Sequence, residues 1–206
     1  MFESILCQVT EYDPEILESL IGLAVEIARE GREGRRVGTL FTLGDETAVL
    51  AKSRSLILNP LEGHAESLRR IQDPNLRGTV KELAQLDGAF VVSSTGVVIA
   101  ACRYLDAAAS PIELPLGLGS RHIAAAHISS ATQAIGIVVS ESAVVRLFCH
   151  GSLIGEIIPE LWMMKRYDFQ SGGPVVKETV GDLAIITPRR RRGAPVAQSA
   201  QSGDNS

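Results

Sequence analysis

What most constrains this chain is a succession of short apolar runs, each too brief for a helix, interleaved with three stretches of helical period. Runs at 37–43, 88–92, 96–101, 135–140, 144–149 and 153–157 are bounded by turn-forming residues. Runs of that length with such boundaries read as strands. Among the helical stretches, Ile16, Leu17, Leu20, Leu23, Ala24 and Ile27 recur at helical spacing behind Asp13-Pro14 and stop before Gly31 and Gly34. Asp is a good N-cap and Pro fits a first turn, so a helix is predicted over about 14–30. Leu76, Val80, Leu83 and Ala84 place a second helix over 74–86, and the small-residue stretch 123–134 a third. Ser93-Ser94-Thr95-Gly96 joins two apolar runs as a hairpin turn. The expectation is an α/β fold, a mixed central β-sheet surrounded by helices in a single domain. Three weaker assignments go with it: a short strand at 47–51, a short helix near 65–71 and a strand at 183–186.

The boundaries drawn are an N-terminal segment 1–13, a folded domain 14–160, a C-terminal extension 161–187 and a tail 188–206. The tail is Arg, Gly, Pro, Ser and Gln, a composition that predicts disorder. Its cluster Arg189 to Arg192 reads as solubilising. The chain has 206 residues, 45% of them apolar but only 4% aromatic, so the core is expected to be Ala, Val, Ile and Leu. A net charge of −4 argues against a general nucleic-acid footprint. It leaves room for a phosphorylated ligand held by local donors. Cys7, Cys102 and Cys149 are odd in number and lie in no CxxC, which argues against a disulfide framework or a zinc site. With no signal-peptide pattern at the start and no run of about 18 apolar residues, a cytoplasmic location and no membrane span are expected.

The familiar phosphate and nucleophile motifs are missing: there is no GxxxxGK[ST] and no GxSxG. Gly117-Leu118-Gly119-Ser120-Arg121-His122 is of interest for its own chemistry. Its glycines permit close backbone approach, and Ser120, Arg121 and His122 supply donors at a predicted helix start, where anions are favoured. The plainer alternative is a Gly-rich turn with a capping Ser and a solvated Arg. Asp87-Gly88-Ala89 sits where a helix meets a strand. A carboxylate there can hold a metal or take a hydroxyl proton, or be an ordinary turn Asp. Ser140-Glu141 ends a strand, a frequent place for ligand contacts and equally a polar strand end.

Taken together, these segments say more. Asp87-Gly88-Ala89, Arg103-Tyr104-Leu105, Gly119-Ser120-Arg121-His122 and Val138-Val139-Ser140-Glu141, in that order and spacing, resemble the core of the diadenylate cyclase domain family, similar to the N-terminal cyclase domain of the DisA type. Upstream, Val37-Gly38-Thr39-Leu40-Phe41 with Gly44-Asp45, and Asn59-Pro60-Leu61 with Gly63-His64, agree; the resemblance spans about 14–160. It implies a nucleotidyltransferase that condenses two ATP into cyclic di-AMP and two pyrophosphates, with Mg2+ or Mn2+, where two cyclase domains meet face to face. It implies that Asp87, Gly88 and Ala89 hold the metal and the reacting hydroxyl, with Glu141 as a second metal ligand. Arg121 and His122 are expected to act on the phosphates, with Gly119, Ser120 and Ser140 beside them and Tyr104 and Leu105 towards the adenine. Partners implied are ATP and a second copy of the chain; no specific nucleic acid is expected.

Two positions depart from the pattern. Ile123 stands where the motif has a second Arg, and Ser142 where many relatives carry an acid. An Ile cannot pair with a phosphate; Arg103 and Arg146 are the candidate cations to compensate. Helical position and the neighbouring Ala124, Ala125 and Ala126 favour Ile123 facing the core. These departures keep open a nucleotide-binding regulatory module without turnover, and beyond it a structural or partner-binding domain.

Overall fold

The computed structural model describes residues 12–106, 112, 114, 115, 117–160, 175–180 and 183–188, the last two segments as backbone. The expected helix α1 spans Pro14–Glu30, capped by the Asp13 carboxylate on Glu15 N. Strand β1, Thr39–Leu43, follows, then helix α2, Glu46–Ala51, and strand β2, Ser53–Ser55. A 3-10 turn at Glu66–Arg69 leads to helix α3, Pro74–Leu83. Strands β3, Ala89–Val92, and β4, Val98–Leu105, form the expected hairpin. Helix α4, Ser120–Ala131, precedes the meander β5, Ile135–Val139, β6, Val145–Cys149, and β7, Ser152–Ile157.

The seven strands make one mixed sheet in the order β2-β4-β3-β1-β5-β6-β7. Only β1 and β3 are parallel neighbours; the other pairs are antiparallel. The central strands β1, β3 and β5 are buried along their whole length, as continuous apolar runs are when both faces of a sheet are covered. Leu40, Ala89, Val91, Val138 and Phe148 face a core shared with Val49 of α2 and Ala125, Ala126 and Ile128 of α4. Strand alternation turns Phe41 and Phe90 to the opposite face, where their rings stack at 5.0 Å. Helix α1 packs on β5 and β6, and α3 is tied to it by Arg77 and Lys81 on Glu26.

The stretch 47–51, expected as a strand, lies in α2. Thr47 and Val49 carry β preference, but Glu46, Ala48, Leu50 and Ala51 are good helix formers, and only Val49 is buried. Helix α4 starts three residues before the predicted Ile123, at Ser120. The strand expected at 183–186 is part of β9, Leu183–Pro188. It pairs antiparallel with β8, Val175–Val180, a strand not anticipated. This hairpin belongs to a second compact unit, Trp162–Ser206, distinct from Met1–Leu161. Most of the segment 1–13 and the tail after 188 lie outside the described residues. Among those described, no helix is long and apolar enough to cross a membrane.

Candidate nucleotide site at the sheet edge

Three adjacent strands deliver their ends to one edge of the sheet. Strands β3 and β1 begin there, preceded by Asp87-Gly88 and by Gly38; β5, running the other way, finishes there and hands on to Ser140-Glu141. Helix α4 begins nearby with Ser120 and Arg121. It comes close to the sheet because Gly136 on β5 has no side chain: a Cβ there would lie 2.8 Å from Cβ of Ala125.

Around this edge is a cavity of about 530 Å³ lined on one side by Asp87, Gly88, Ala89 and Leu40, and on the other by Ser120, Arg121, Ile123 and Ala124; Leu56, Arg103, Tyr104 and Leu105 close the far end. Its size suits a nucleotide-sized ligand. Asp87 is almost fully exposed, its side chain 92% accessible. Arg121 reaches out between two carboxylates, with Nη2 3.8 Å from Asp87 Oδ1 and Nη1 donating to Glu141 Oε1 at 3.3 Å. Gly88 has φ +108°, and a Cβ there would meet the Cys102 carbonyl carbon at 2.6 Å, so the turn behind Asp87 accepts no other residue without strain. Helix α4 has Gly119 as its N-cap and no side-chain cap. Ser120 is therefore the first helical residue and caps nothing, and the helix's positive end stays available to an anion.

Of the residues singled out in the sequence, Asp87, Gly88, Ala89, Tyr104, Leu105, Ser120 and Arg121 line the cavity, and Glu141 joins them through Arg121. Gly119 stands behind as the cap. Ser140 is engaged in the turn that follows β5: its Oγ donates to Val144 O at 3.0 Å, accepts from Val144 N, and lies 2.7 Å from Ser142 Oγ. It is a polar strand end and does not line the cavity.

His122 is not brought to the site. It is buried under α4 against the edge of Phe148, with Nε2 3.3 Å from Arg146 Nη1. A guanidinium only donates, so Nε2 accepts and the ring proton of the neutral imidazole sits on Nδ1, which makes no well-formed hydrogen bond. Burial, then the nearby Arg146 charge, holds the His122 pKa below its ordinary value, and the Gly119 backbone offsets this only in part. His122 is thus a neutral interior strut.

The substitutes considered for the missing arginine are already engaged. Arg103 borders the cavity, but its guanidinium donates to Ser53 Oγ and O, Ser55 Oγ and Leu50 O, fastening β2 to β4. Arg146 pairs with Glu156 and His122 away from the cavity. Ile123, expected in the core, instead lines the cavity and is 43% exposed. Ala125 and Ala126 are the residues of α4 that meet the sheet, and Ile123 is not among the buried positions of the helix. Sequence reading also passed over Leu40, Leu56 and Ala124 as wall residues. Leu40 was within reach, since alternation along β1 places it beside Ala89; Leu56, in a loop, had no such signal.

No group of three or more His, Cys, Asp or Glu side chains among the described residues forms a closed metal site. Two carboxylates at an open edge instead fit a hard divalent cation that keeps several waters and is shared with a substrate's phosphates.

A mixed sheet with Asp87 and Arg121 in a cavity wall, Glu141 paired with that arginine and an uncapped helix start beside them fits a nucleotide-binding class of protein. Residues 26–153 match the family described as DisA bacterial checkpoint controller nucleotide-binding, and the chain belongs to that family. It is similar to the diadenylate cyclase of Methanocaldococcus jannaschii, 46% identical over 150 residues covering 72% of this chain and 47% of that one. It is also similar to the diadenylate cyclase of Haloferax volcanii, 41% identical over 151 residues, 73% and 55% of the two chains. The chain thus spans about half the length of these relatives. Among solved structures, DacA from Staphylococcus aureus in a double-mutant form aligns at TM-score 0.45 with 23% identity over 77% of this chain and 97% of that one.

Proposed function

We propose that the chain is a diadenylate cyclase, condensing two ATP into cyclic di-AMP with release of two pyrophosphates, and that two copies must meet for it to act. What carries the reading is Arg121, held between Asp87 and Glu141 at the wall of one cavity in a chain of this family. In each half-reaction the 3′-oxygen of one nucleotide bonds to the α-phosphorus of the other, the bond to pyrophosphate breaks, and the hydroxyl proton is lost. Such transfer rests on positioning and charge neutralisation and needs no protein nucleophile. Arg121 and the start of α4 are placed to hold phosphate oxygens. Asp87 is placed to orient the attacking hydroxyl and accept its hydrogen bond. The far wall, with Leu56, Tyr104 and Leu105, offers an apolar surface to a base. Asp87 and Glu141 would hold Mg2+ or Mn2+, which supplies charge neutralisation at the phosphates.

Ile123 in the cavity wall favours a second reading, a nucleotide-binding module with little turnover. Incubating the chain with ATP and either metal and weighing the product separates the two. Cyclic di-AMP supports the first; ATP-dependent thermal stabilisation without product supports the second; neither effect overturns both.

A further inference from the structure

Gly38, the buried residue immediately before β1, faces the same guanidinium. A Cβ at this position would lie 2.9 Å from Arg121 Nη1, 3.2 Å from Arg121 Cζ and 3.3 Å from Glu141 Cγ. The three nearest atoms therefore all belong to side chains of the site, and none is main chain. The backbone makes no demand for glycine either, for Gly38 is not among the residues with positive φ. Gly88 differs on both counts, with φ +108° and the Cys102 main chain directly against it. At Gly38, what an added Cβ meets first is the end of the arginine side chain, which must shift to admit it.

We infer that Gly38 is a positioning residue of this site: its bare α-carbon is the slot in which the Arg121 guanidinium lies between Asp87 and Glu141. The inference rests on the proposed reading of the cavity as a nucleotide site. An added methyl has two ways out. It displaces the guanidinium from its place between the carboxylates, or it displaces the Glu141 stem. Either way the arginine that meets the phosphates and the carboxylate beside it lose their register, while the sheet is left intact. Misplacing a group that meets the reacting atoms lowers rate steeply, and an arginine moved off a phosphate loses a charge-assisted hydrogen bond.

The test uses the full chain, Mn2+ and 3′-deoxy-ATP, which lacks the attacking hydroxyl and is not turned over. Affinity is read by titration calorimetry and stability by thermal unfolding, for the wild type, Gly38→Ala, Arg121→Ala and the double variant. Gly38→Ala is expected to weaken binding about tenfold or more. In the Arg121→Ala background the same change is expected to alter affinity by less than about twofold, since the two nearest atoms, both of the guanidinium, are gone and only Glu141 Cγ at 3.3 Å remains. If Gly38→Ala melts early because of the collision, the double variant regains the lost degrees. Equal losses in both backgrounds, in affinity or in melting temperature, would assign Gly38 to the backbone and overturn the inference. So would wild-type affinity in Gly38→Ala. Absence of binding by the wild type itself overturns the nucleotide reading, and the role of Gly38 with it.

Discussion

At the scale of single residues, strand ends and helix phase decide what each side chain around the cavity can reach. Asp87 precedes β3 and Glu141 follows β5, so both had to emerge at the sheet edge. On α4, sequence alone did not show that Arg121 and Ile123 look into the cavity while His122 turns inward. Three predictions follow from those placements. Asp87→Asn is expected to leave the melting temperature unchanged, because the side chain is 92% exposed, and to lower turnover about a hundredfold or more; near-full product formation would remove Asp87 from the chemistry. Ile123→Arg is expected to keep its stability, since the position is 43% exposed. It should also tighten ATP binding by about 1–3 kcal/mol if the guanidinium meets a phosphate. Lost stability without a gain in affinity would return the position to the core. His122 gives a pH signature. Its folded pKa lies below the ordinary 6.5, so the unfolded chain takes up the proton first. Stability is then complete above about pH 6.5 and falls as pH drops towards the folded value. Arg146 and Arg121 sharpen this dependence and Glu156 opposes it. Denaturant titrations from pH 7.5 to 5 are expected to show the fall in the wild type and a flatter profile in His122→Gln.

At the scale of elements, the short apolar runs identified the central strands, which are buried on both faces and carry no polar alternation to blur them, whereas β2, Ser53-Arg54-Ser55, carries no apolar run and was missed. The same feature hid the pairing. Nothing in the runs told that β1 joins β3 in parallel and β5 antiparallel, since that arrangement depends on contacts far apart in sequence. Val175–Val180 was missed because Lys177, Glu178 and Thr179 interrupt its apolar character. The link between α1 and α3 was invisible for a similar reason. Glu26, Arg77 and Lys81 look like ordinary solvated charges until the helices are laid together. There Arg77 Nη2 donates to Glu26 Oε1 at 2.6 Å and Nη1 to Ser19 O at 3.0 Å. Burial raises the pKa of Glu26, but the bonds to Lys81 and Arg77 outweigh it and hold the group below its usual range. The arginine is mostly covered, its side chain 18% exposed. Arg77→Ala is therefore expected to cost about 1–2 kcal/mol, measured by urea unfolding, whereas Arg29→Ala, at a looser exposed pair, costs about 0–0.5 kcal/mol.

At the scale of the whole molecule, the site's position on the fold bears on how it works. Asp87 and Glu141 stand at the open edge of a sheet with their side chains 92% and 70% exposed. Among the described residues of the seven-stranded unit, nothing covers them. A reaction that joins two nucleotides, each the nucleophile for the other, needs two such edges facing one another. A twofold pair of identical copies provides that with one self-complementary surface. If the cyclase reading holds, turnover belongs to the pair and not to the chain. Specific activity is then expected to rise with protein concentration and level off, and the concentration of half-effect should match the self-association seen by sedimentation. Asp87→Asn gives an independent check, because its fold is intact and it can still pair. Added in excess to a fixed amount of wild type, it draws wild-type copies into pairs with one defective half and should suppress cyclic di-AMP formation, more strongly as its ratio rises. Arg77→Ala, which lies away from the site, should not suppress at the same ratio. Specific activity independent of dilution, in a chain that sediments as a monomer throughout, would show that one copy completes the reaction alone and would remove the paired-edge account.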